Sequence, residues 1–223
     1  MKKIFTFDRK QTCFIIANWK SNKTELEAKE WFTEISNIGT KEIIICPSFT
    51  LLPIVKSSII DYELPFKVGA QDISSFDEGS STGEVNGRQI KEFADYVIIG
   101  HSERRSLGET DEKFKKKVLM AEKYNLTPIF CIQNENTQIP DGVVIAAYEP
   151  IFAIGTGNAD TPENADNIAK MVKEQKGVQY VLYGGSVTSG NVKSFTQMPS
   201  IDGVLVGGAS LDFLEFSKII KVA

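Results

Sequence analysis

The sequence is poor in the residues that bind metals or form disulfides, with one histidine and three cysteines among its 223 residues. With a single histidine, a zinc site would need an unusual set of ligands, so we expect no metal. The cysteines, Cys13, Cys46 and Cys131, form no CxxC pair and lie in or beside apolar runs. That arrangement is typical of reduced thiols with a structural role. Metal chemistry and disulfide exchange are therefore not expected.

A basic surface is missing as well. The formal net charge is −4, and no cluster of lysines and arginines carries interleaved aromatic residues. Such a composition argues against nucleic acid or an anionic membrane surface as a partner. An anionic ligand would therefore have to be held by local groups and not by a general positive field.

Long apolar runs and linkers are also absent. No stretch approaches the length of a membrane span, about 18 apolar residues. Lys2 and Lys3 precede only the run Ile4 to Phe7, which is too short for a signal peptide. We therefore predict a cytoplasmic protein with no membrane partner. Because hydrophobic residues make up 42% of the chain and no Pro/Gly/Ser-rich segment divides it, we predict one domain over residues 1–223.

What the sequence does contain is a series of eight short apolar runs. Most of them are continuous and do not alternate with polar residues, which indicates strands of a parallel sheet with both faces covered. The runs are Phe14 to Ala17, Ile43 to Cys46, Phe66 to Ala70, Tyr96 to Ile99, Pro128 to Cys131, Val143 to Ala147, Tyr180 to Tyr183 and Val204 to Val206.

Amphipathic segments lie between these runs and are predicted to be helices. They are Thr24 to Asn37, Asp111 to Tyr124, Pro162 to Gln175 and Leu211 to Val222. Thr161 before Pro162 is typical of an N-cap followed by proline at the first helical position. Thr110 has the same position before Asp111. Repeated alternation of strand and helix predicts an α/β fold of the (β/α)8 barrel type. A doubly wound open sheet is the alternative.

One connection in this series is unusually short. Between Cys131 and Val143 lie only the residues Ile132 to Gly142, which are rich in turn formers. A crossover that contains a helix needs roughly 10 to 12 residues at minimum, and this segment has no apolar stripe to cover a barrel. We therefore predict that the helix after strand five is missing or reduced to a single turn, and that only neighbouring helices cover this part of the wall.

In a (β/α)8 barrel the active site lies at the carboxyl ends of the strands. Five predicted strands end in residues that can carry chemistry or bind phosphate. These are Asn18 and Lys20 after strand one, His101 and Glu103 after strand four, Glu149 after strand six, Gly184-Gly185-Ser186 after strand seven and Gly207-Gly208 after strand eight. Each is weak evidence alone, because such residues after a strand are usually structural. Their common location predicts an active site.

The stretch Ala147 to Gly157 has the most distinctive pattern. Glu149 lies at the carboxyl end of a buried strand, and Pro150 ends that strand because it cannot donate a ladder hydrogen bond. Gly155 and Gly157 bracket an apolar tip, which is typical of a lid. A carboxylate beneath such a loop is desolvated, and desolvation makes a carboxylate a stronger base. A surface glutamate before a packed loop is the alternative reading of this stretch alone.

Several strings of residues closely resemble the triosephosphate isomerase family. They are Asn18-Trp19-Lys20, Gly69-Ala70-Gln71, Gly100 to Arg105, Tyr148-Glu149-Pro150, Ala153 to Gly157, Tyr183 to Val187 and Asp202 to Leu211. The resemblance covers nearly the whole chain in the family's order. The chain departs from the family pattern at Ala17, Ser21, Gln133-Asn134, Phe152 and Asn158. None of these departures removes a reacting group.

The resemblance implies a (β/α)8 TIM barrel that interconverts dihydroxyacetone phosphate and D-glyceraldehyde 3-phosphate in glycolysis and gluconeogenesis. Proton transfer through an enediolate needs no cofactor. The resemblance implies that Glu149 is the base and that His101, as a neutral imidazole, hydrogen-bonds the enediolate oxygens. It also implies that Lys20 supplies a positive charge and Asn18 a donor to the developing oxyanion, with Glu103 pairing with Lys20.

The resemblance further implies how the phosphate and a second subunit bind. The phosphate is expected on backbone N–H groups at the start of a short helix after strand eight. The residues concerned are Gly155, Ser186, Gly207 and Gly208, beside Asn18 and Lys20. The polar segment Ser74 to Asn86 is too long for a tight turn, and in the family this loop inserts into a neighbouring subunit. We therefore predict a homodimer in which Thr82 lies close to Asn18 or Lys20 of the partner subunit.

Two other functions fit part of the pattern. A lyase or synthase that acts on another phosphorylated sugar would share the phosphate glycines, and its mark would be a strand-end lysine suited to a Schiff base. A non-catalytic barrel could keep the phosphate loop alone. The presence of Glu149, His101 and Lys20 together favours the isomerase.

Overall fold

The protein folds into a closed barrel of eight parallel strands. The computed structural model describes residues 13–33, 41–153 and 159–223. The strands pair in chain order, and the eighth pairs with the first. They are β1 (Phe14–Asn18), β2 (Glu42–Cys46), β3 (Lys67–Ala70), β4 (Tyr96–Ile99), β5 (Thr127–Ile132), β6 (Ile145–Tyr148), β7 (Tyr180–Tyr183) and β8 (Gly203–Val206). The predicted (β/α)8 architecture is confirmed, and the open-sheet alternative is wrong.

Eight α-helices lie within the described residues. They are α1 (Glu25–Thr33), α2 (Leu52–Asp61), α3 (Gly87–Lys91), α4 (Ser102–Ser106), α5 (Asp111–Lys123), α6 (Pro162–Lys176), α7 (Val192–Thr196) and α8 (Phe213–Val222). All four predicted helices are among them, although residues 34–37 of the first prediction lie outside the described ranges. The side chains of Thr110 and Thr161 accept the hydrogen bonds that cap α5 and α6, as predicted.

Two predicted boundaries are wrong by two residues, and several others differ by one. Strand β6 begins at Ile145 and not at Val143, although the Val144 carbonyl just before it still accepts the N–H groups of Gln179 and Tyr180 beside β7. Helix α8 begins at Phe213 and not at Leu211, because the Asp212 side chain accepts the Glu215 N–H at 2.7 Å and caps the helix there.

The side chains of the strands divide into an inner and an outer layer. Alternate residues such as Phe14, Ile98 and Leu182 fill the barrel interior. Their neighbours along the strands, such as Ile15 and Val97, point outward and pack beneath the helices. This alternation is the period of two that a strand imposes on its side chains. Reactive side chains are left at the barrel rim, where each strand ends.

The predicted loss of the helix after β5 is confirmed. All residues between Ile132 and Ile145 are described, and none of them is helical. The segment makes turns instead, in which the Thr137 hydroxyl accepts hydrogen bonds from the N–H groups of Gln133 at 3.1 Å and Asn134 at 3.3 Å.

The wall beside this segment is nevertheless covered. The outward side chains of β5 and β6 there, Phe130, Ile132 and Ala146, are fully buried. Ile139 of the segment packs against the outer core. Gly142 has a φ of +87°, and a Cβ there would clash with the carboxylate of Glu122 on α5. The expectation that only neighbouring helices cover the wall is therefore wrong, since the loop itself lies on it.

The three cysteines are free thiols, as predicted. Burial raises the pKa of the Cys46 thiol. Among the helices of the described ranges, none is both long and apolar enough to cross a membrane.

Candidate active site

A cavity of about 370 Å³ opens at the carboxyl ends of the strands. Seven of the predicted site residues line it, and they come from the ends of five strands: Asn18, Lys20, His101, Glu149, Ser186, Gly207 and Gly208. The remaining lining residues lie in the loops after β7 and β8, except for Leu205, an apolar residue of β8 itself. The closure of the barrel brings these residues together, because parallel strands place all their carboxyl ends at one rim.

Glu149 is buried at the base of this cavity, with 1% of its surface exposed. Its Oε1 lies 3.1 Å from Nε2 of His101, and its Oε2 accepts the N–H of Ser102 at 3.0 Å. Burial raises the pKa of the neighbouring Cys131 thiol, and the charge of Glu149 and the hydrogen bond to it raise that pKa further. The Glu149 carboxyl group therefore lies between the His101 ring and the first N–H of helix α4.

His101 is the N-cap of helix α4. Its Nδ1 accepts the backbone N–H of Glu103 at 3.2 Å. A ring nitrogen that accepts a hydrogen bond carries no proton, so the proton lies on Nε2, which faces Glu149. In this geometry Nε2 is the ring nitrogen directed toward Glu149 and the cavity.

Lys20 has a positive φ of 52°, which is uncommon for a residue other than glycine. Its Nζ lies 2.6 Å from Oε1 of Glu103. Partial burial alone would raise the pKa of Glu103, but the hydrogen bond and charge of Lys20 outweigh it, and that pKa is lowered. Glu103 itself does not line the cavity. It contacts the cavity residue Lys20, the partner that the resemblance gives it.

Two side-chain amides hold the strained backbone of Lys20. The N–H of Lys20 donates to Oδ1 of Asn18 at 3.0 Å, which leaves the amide nitrogen of Asn18 as its available donor. Nε2 of Gln71 donates to the carbonyls of Lys20 at 2.8 Å and Cys46 at 2.9 Å. The sequence did not predict this role of Gln71, although Gly69-Ala70-Gln71 belongs to the resemblance.

The far end of the cavity is made of backbone. Gly207 caps a short 3-10 helix, Gly208–Ser210, whose first N–H groups have no intrahelical acceptor. The Ser210 hydroxyl donates to the Gly207 carbonyl at 2.7 Å and holds this turn. The predicted short helix after strand eight is thus present. Such a turn presents N–H groups to an anion.

Gly184 makes room for the carboxylate. A Cβ at Gly184 would lie 2.9 Å from Cγ of Glu149 and 3.2 Å from the Tyr148 carbonyl oxygen. Both contacts are tighter than ordinary van der Waals packing, so any side chain at this position would displace the Glu149 side chain.

Two predicted residues are not part of this assembly. Gly155 lies outside the residues that the structure describes. Thr82 is exposed in a turn of the long connection between β3 and α3, away from the cavity of its own chain.

Comparison with known proteins points to one family. The family model described as "Triosephosphate isomerase" matches residues 13–143 and 140–223. These two matches together span every described part of the chain, including all five strand ends that carry the cavity residues.

Curated relatives with the same name cover nearly the full length of the chain. A triosephosphate isomerase of Mesomycoplasma hyopneumoniae (strain 7448) is 39% identical, with 92% of this chain and 97% of the relative covered. One of Synechococcus sp. (strain JA-2-3B'a(2-13)) is 36% identical, with 93% and 95% covered. One of Thermus thermophilus is 33% identical, with 94% and 98% covered.

Proposed function

Since the chain belongs to the triosephosphate isomerase family, we propose that this cavity interconverts dihydroxyacetone phosphate and D-glyceraldehyde 3-phosphate. The observation that carries the proposal is the pairing of Glu149 with His101 at 3.1 Å in a cavity that ends in glycine-rich backbone. An isomerase of this kind needs a base, a donor to oxygen and an anion site, and the cavity has a group suited to each.

Glu149 is the proposed base. It takes a proton from the hydroxyl-bearing carbon beside the carbonyl, which gives an enediolate, and returns a proton to the former carbonyl carbon. The hydroxyl proton moves from the first oxygen to the second, so the product has the same atoms and electrons as the substrate and no cofactor is needed. The Ser102 N–H donates to Oε2 of Glu149, and Nε2 of His101 lies 3.1 Å from Oε1, so the carboxyl group is held in place at the cavity.

His101 is the proposed donor to the enediolate oxygens. In the structure its Nε2 lies 3.1 Å from Oε1 of Glu149. A substrate that enters between the two side chains would place its oxygens within reach of this ring nitrogen. The neutral ring suits this task because a preorganised donor stabilises charge that develops on oxygen without reorganisation.

Lys20 and Asn18 are the proposed electrostatic support. The Lys20 ammonium offsets the charge of the substrate, and the amide nitrogen of Asn18 donates to the oxyanion. Glu103 positions Lys20 through their ion pair. The phosphate binds the N–H groups of Ser186, Gly207 and Gly208, and we propose that Gly155 joins them.

Among the described residues, nothing in the cavity favours the alternative functions. Schiff-base chemistry needs a neutral amine, whereas Lys20 forms an ion pair with Glu103 at 2.6 Å. A barrel that only bound phosphate would have no need of the buried Glu149–His101 pair.

The proposal is tested with a coupled assay in which dihydroxyacetone phosphate is the substrate. Purified protein is expected to form glyceraldehyde 3-phosphate without an added cofactor, and the Glu149→Gln variant is expected to lose this activity. An inactive wild-type protein, or a Glu149→Gln variant as active as the wild type, would contradict the proposal.

We also propose that the protein is a homodimer and that it serves glycolysis and gluconeogenesis in the cytoplasm. The loop that the resemblance assigns to the interface lies between Ala70 and Gly87, and its residues, all described, form no strand or helix. Phe76 on this loop is 57% exposed although it is a large apolar side chain. A second subunit would cover this ring and place Thr82 near Asn18 or Lys20 of the partner subunit.

Sedimentation equilibrium at micromolar concentration is expected to give the mass of two chains. Phe76→Asp introduces a charge where the proposal places a covered ring, so this variant is expected to shift toward the monomer and lose activity. The matched control is Leu119→Asp, at another half-exposed apolar residue on α5. A fully active monomeric wild type would defeat the proposal.

A further inference from the structure

Asp160 lies just before helix α6, and three described residues donate hydrogen bonds to its carboxylate. Its Oδ1 accepts the Thr161 N–H at 2.8 Å. Its Oδ2 accepts from Nδ2 of Asn164 at 2.7 Å and from the hydroxyl of Tyr148 at 3.0 Å. The first two contacts are local to the start of α6. The third reaches back to the end of strand β6, which α6 follows, and it needs an explanation beyond capping.

The backbone of Asp160 makes a second contact with the barrel. Its N–H donates to the hydroxyl of Tyr183 at 2.8 Å. Tyr148 and Tyr183 are paired in register as the last residues of β6 and β7. Tyr183 stacks on Phe195 with ring centroids 3.8 Å apart and is 1% exposed, so it is a fixed point of attachment. Asp160 therefore binds two neighbouring strand ends at once.

Tyr148 is the residue immediately before Glu149. Side chains alternate along a strand, so the ring of Tyr148 points outward to Asp160 while Glu149 points into the cavity. The Tyr148 carbonyl accepts the Gly184 N–H at 2.7 Å, and the Glu149 N–H donates to the Ile132 carbonyl at 2.7 Å. The orientation of this short piece of backbone sets where the Glu149 carboxylate lies.

The hydroxyl of Tyr148 is a strong and permanent donor. Burial raises the pKa of Tyr148, and the charge of Asp160 and the hydrogen bond to it raise that pKa further. Hydrogen bonds to an ionised acceptor are roughly twice as strong as neutral ones. The Tyr148–Asp160 hydrogen bond is therefore strong enough to stabilise one orientation of the backbone at the end of β6.

We propose that Asp160 is a positioning residue for the reaction, which acts through the Tyr148 hydroxyl to fix the strand end that carries Glu149. The proposal rests on the proposed role of Glu149 as the base. The carboxylate of Asp160 does not line the cavity, so its effect falls on the placement of the base and not on the binding of the phosphate.

The test is a pair of single variants and their combination. Tyr148→Phe and Asp160→Ala each remove the same hydrogen bond, and each is expected to lower kcat about tenfold, the effect of one hydrogen bond to a charged group. KM is expected to change by less than about twofold, because the phosphate groups are untouched. The double variant is expected to be no worse than either single variant, since contacting residues are not additive. Asp160→Asn keeps an acceptor oxygen and is expected to restore most of kcat.

Asn164→Ala is the matched control. It removes a hydrogen bond to the same Asp160 oxygen but has no path to β6, so kcat is expected to stay at the wild-type value. The inference is overturned if Tyr148→Phe and Asp160→Ala keep wild-type kcat, if they raise KM instead, or if their effects add in the double variant. An active Glu149→Gln variant would refute the proposed base. An inactive Glu149→Gln variant beside a fully active Tyr148→Phe variant would refute the positioning role alone.

Discussion

The Glu149→Asp variant is expected to lose about 10²-fold or more in kcat with little change in KM. Removing one methylene moves the carboxylate by about 1.5 Å, and a 1 Å misplacement of a catalytic group can cost about 10²-fold. General acid–base catalysis contributes about 10² to 10⁴-fold in total. The groups proposed to bind phosphate, Gly207, Gly208 and Ser186, are separate residues of the cavity lining, and the substitution leaves them unchanged.

The measurement is kcat and KM in the coupled assay, with Glu163→Asp as the control. Glu163 is exposed in the first turn of α6, so the same chemical change there should leave both constants unchanged. A Glu149→Asp variant that kept its kcat and lost only affinity would make Glu149 a binding residue, and the proposed mechanism would be wrong.

The strands and the candidate site are predictable from the sequence because they rest on local patterns. A continuous apolar run such as Tyr96 to Ile99 indicates a strand covered on both faces, and the structure has β4 at those residues. Once the barrel is inferred, the residue after each strand must lie at one rim. His101 and Glu149 could therefore be placed together, although they follow different strands that are far apart in the sequence.

Helix α2 was not predicted because its apolar residues do not form a clear stripe. Leu52, Val55 and Ile59 are buried, but Ile60 is 62% exposed, so apolar residues occur on more than one face. Pro53 lies in the first turn, where its missing N–H costs nothing. Without a capping signal or a polar face, the segment resembles a loop in sequence.

The contacts that orient the site are harder to predict, because their partners are backbone groups. Gln71 binds the carbonyls of Lys20 and Cys46, which belong to other strand ends. Glu149 accepts the N–H of Ser102. Every residue has such groups, so composition and spacing contain no signal for them. Only the closed barrel shows which carbonyl or N–H faces which side chain.

A buried ionic cluster lies beside the site and joins α5 to the loop after β3. Lys117 is 1% exposed, and its Nζ lies 2.6 Å from Oδ1 of Asp72 and 2.7 Å from Oε1 of Glu109. Arg104 hydrogen-bonds Glu109, and its Nε lies 3.4 Å from Oδ2 of Asp72. Lys113 is a more exposed cation at the edge of the cluster, with its Nζ 3.4 Å from Oε1 of Glu109. Lys117 is therefore the one buried lysine that contacts both carboxylates among these described residues.

This cluster makes the folded state sensitive to acid. Partial burial alone would raise the pKa of Glu109, but the hydrogen bonds and charges of Arg104 and Lys117 outweigh it, and that pKa lies below its ordinary value of 4.5. A group whose pKa is lowered on folding stabilises the protein above its ordinary pKa. That stabilisation is lost as the pH falls through the lower, folded value.

The Lys117→Met variant is expected to lower the free energy of unfolding by about 3 to 5 kcal/mol, the cost of removing one partner from a buried ion pair. Methionine fills much of the space of the lysine stem, so the decrease in the free energy of unfolding measures the loss of the charge and not the creation of a cavity. The carboxylates of Asp72 and Glu109 would lose their most buried counter-charge and face each other as like charges.

The measurement is urea unfolding at one fixed protein concentration, with linear extrapolation to water. Lys116→Met, one residue away and exposed on the same helix, is expected to change the free energy by less than about 0.5 kcal/mol. Equal effects of the two variants would show that the cluster contributes nothing to stability, since only the buried lysine has carboxylates that depend on it.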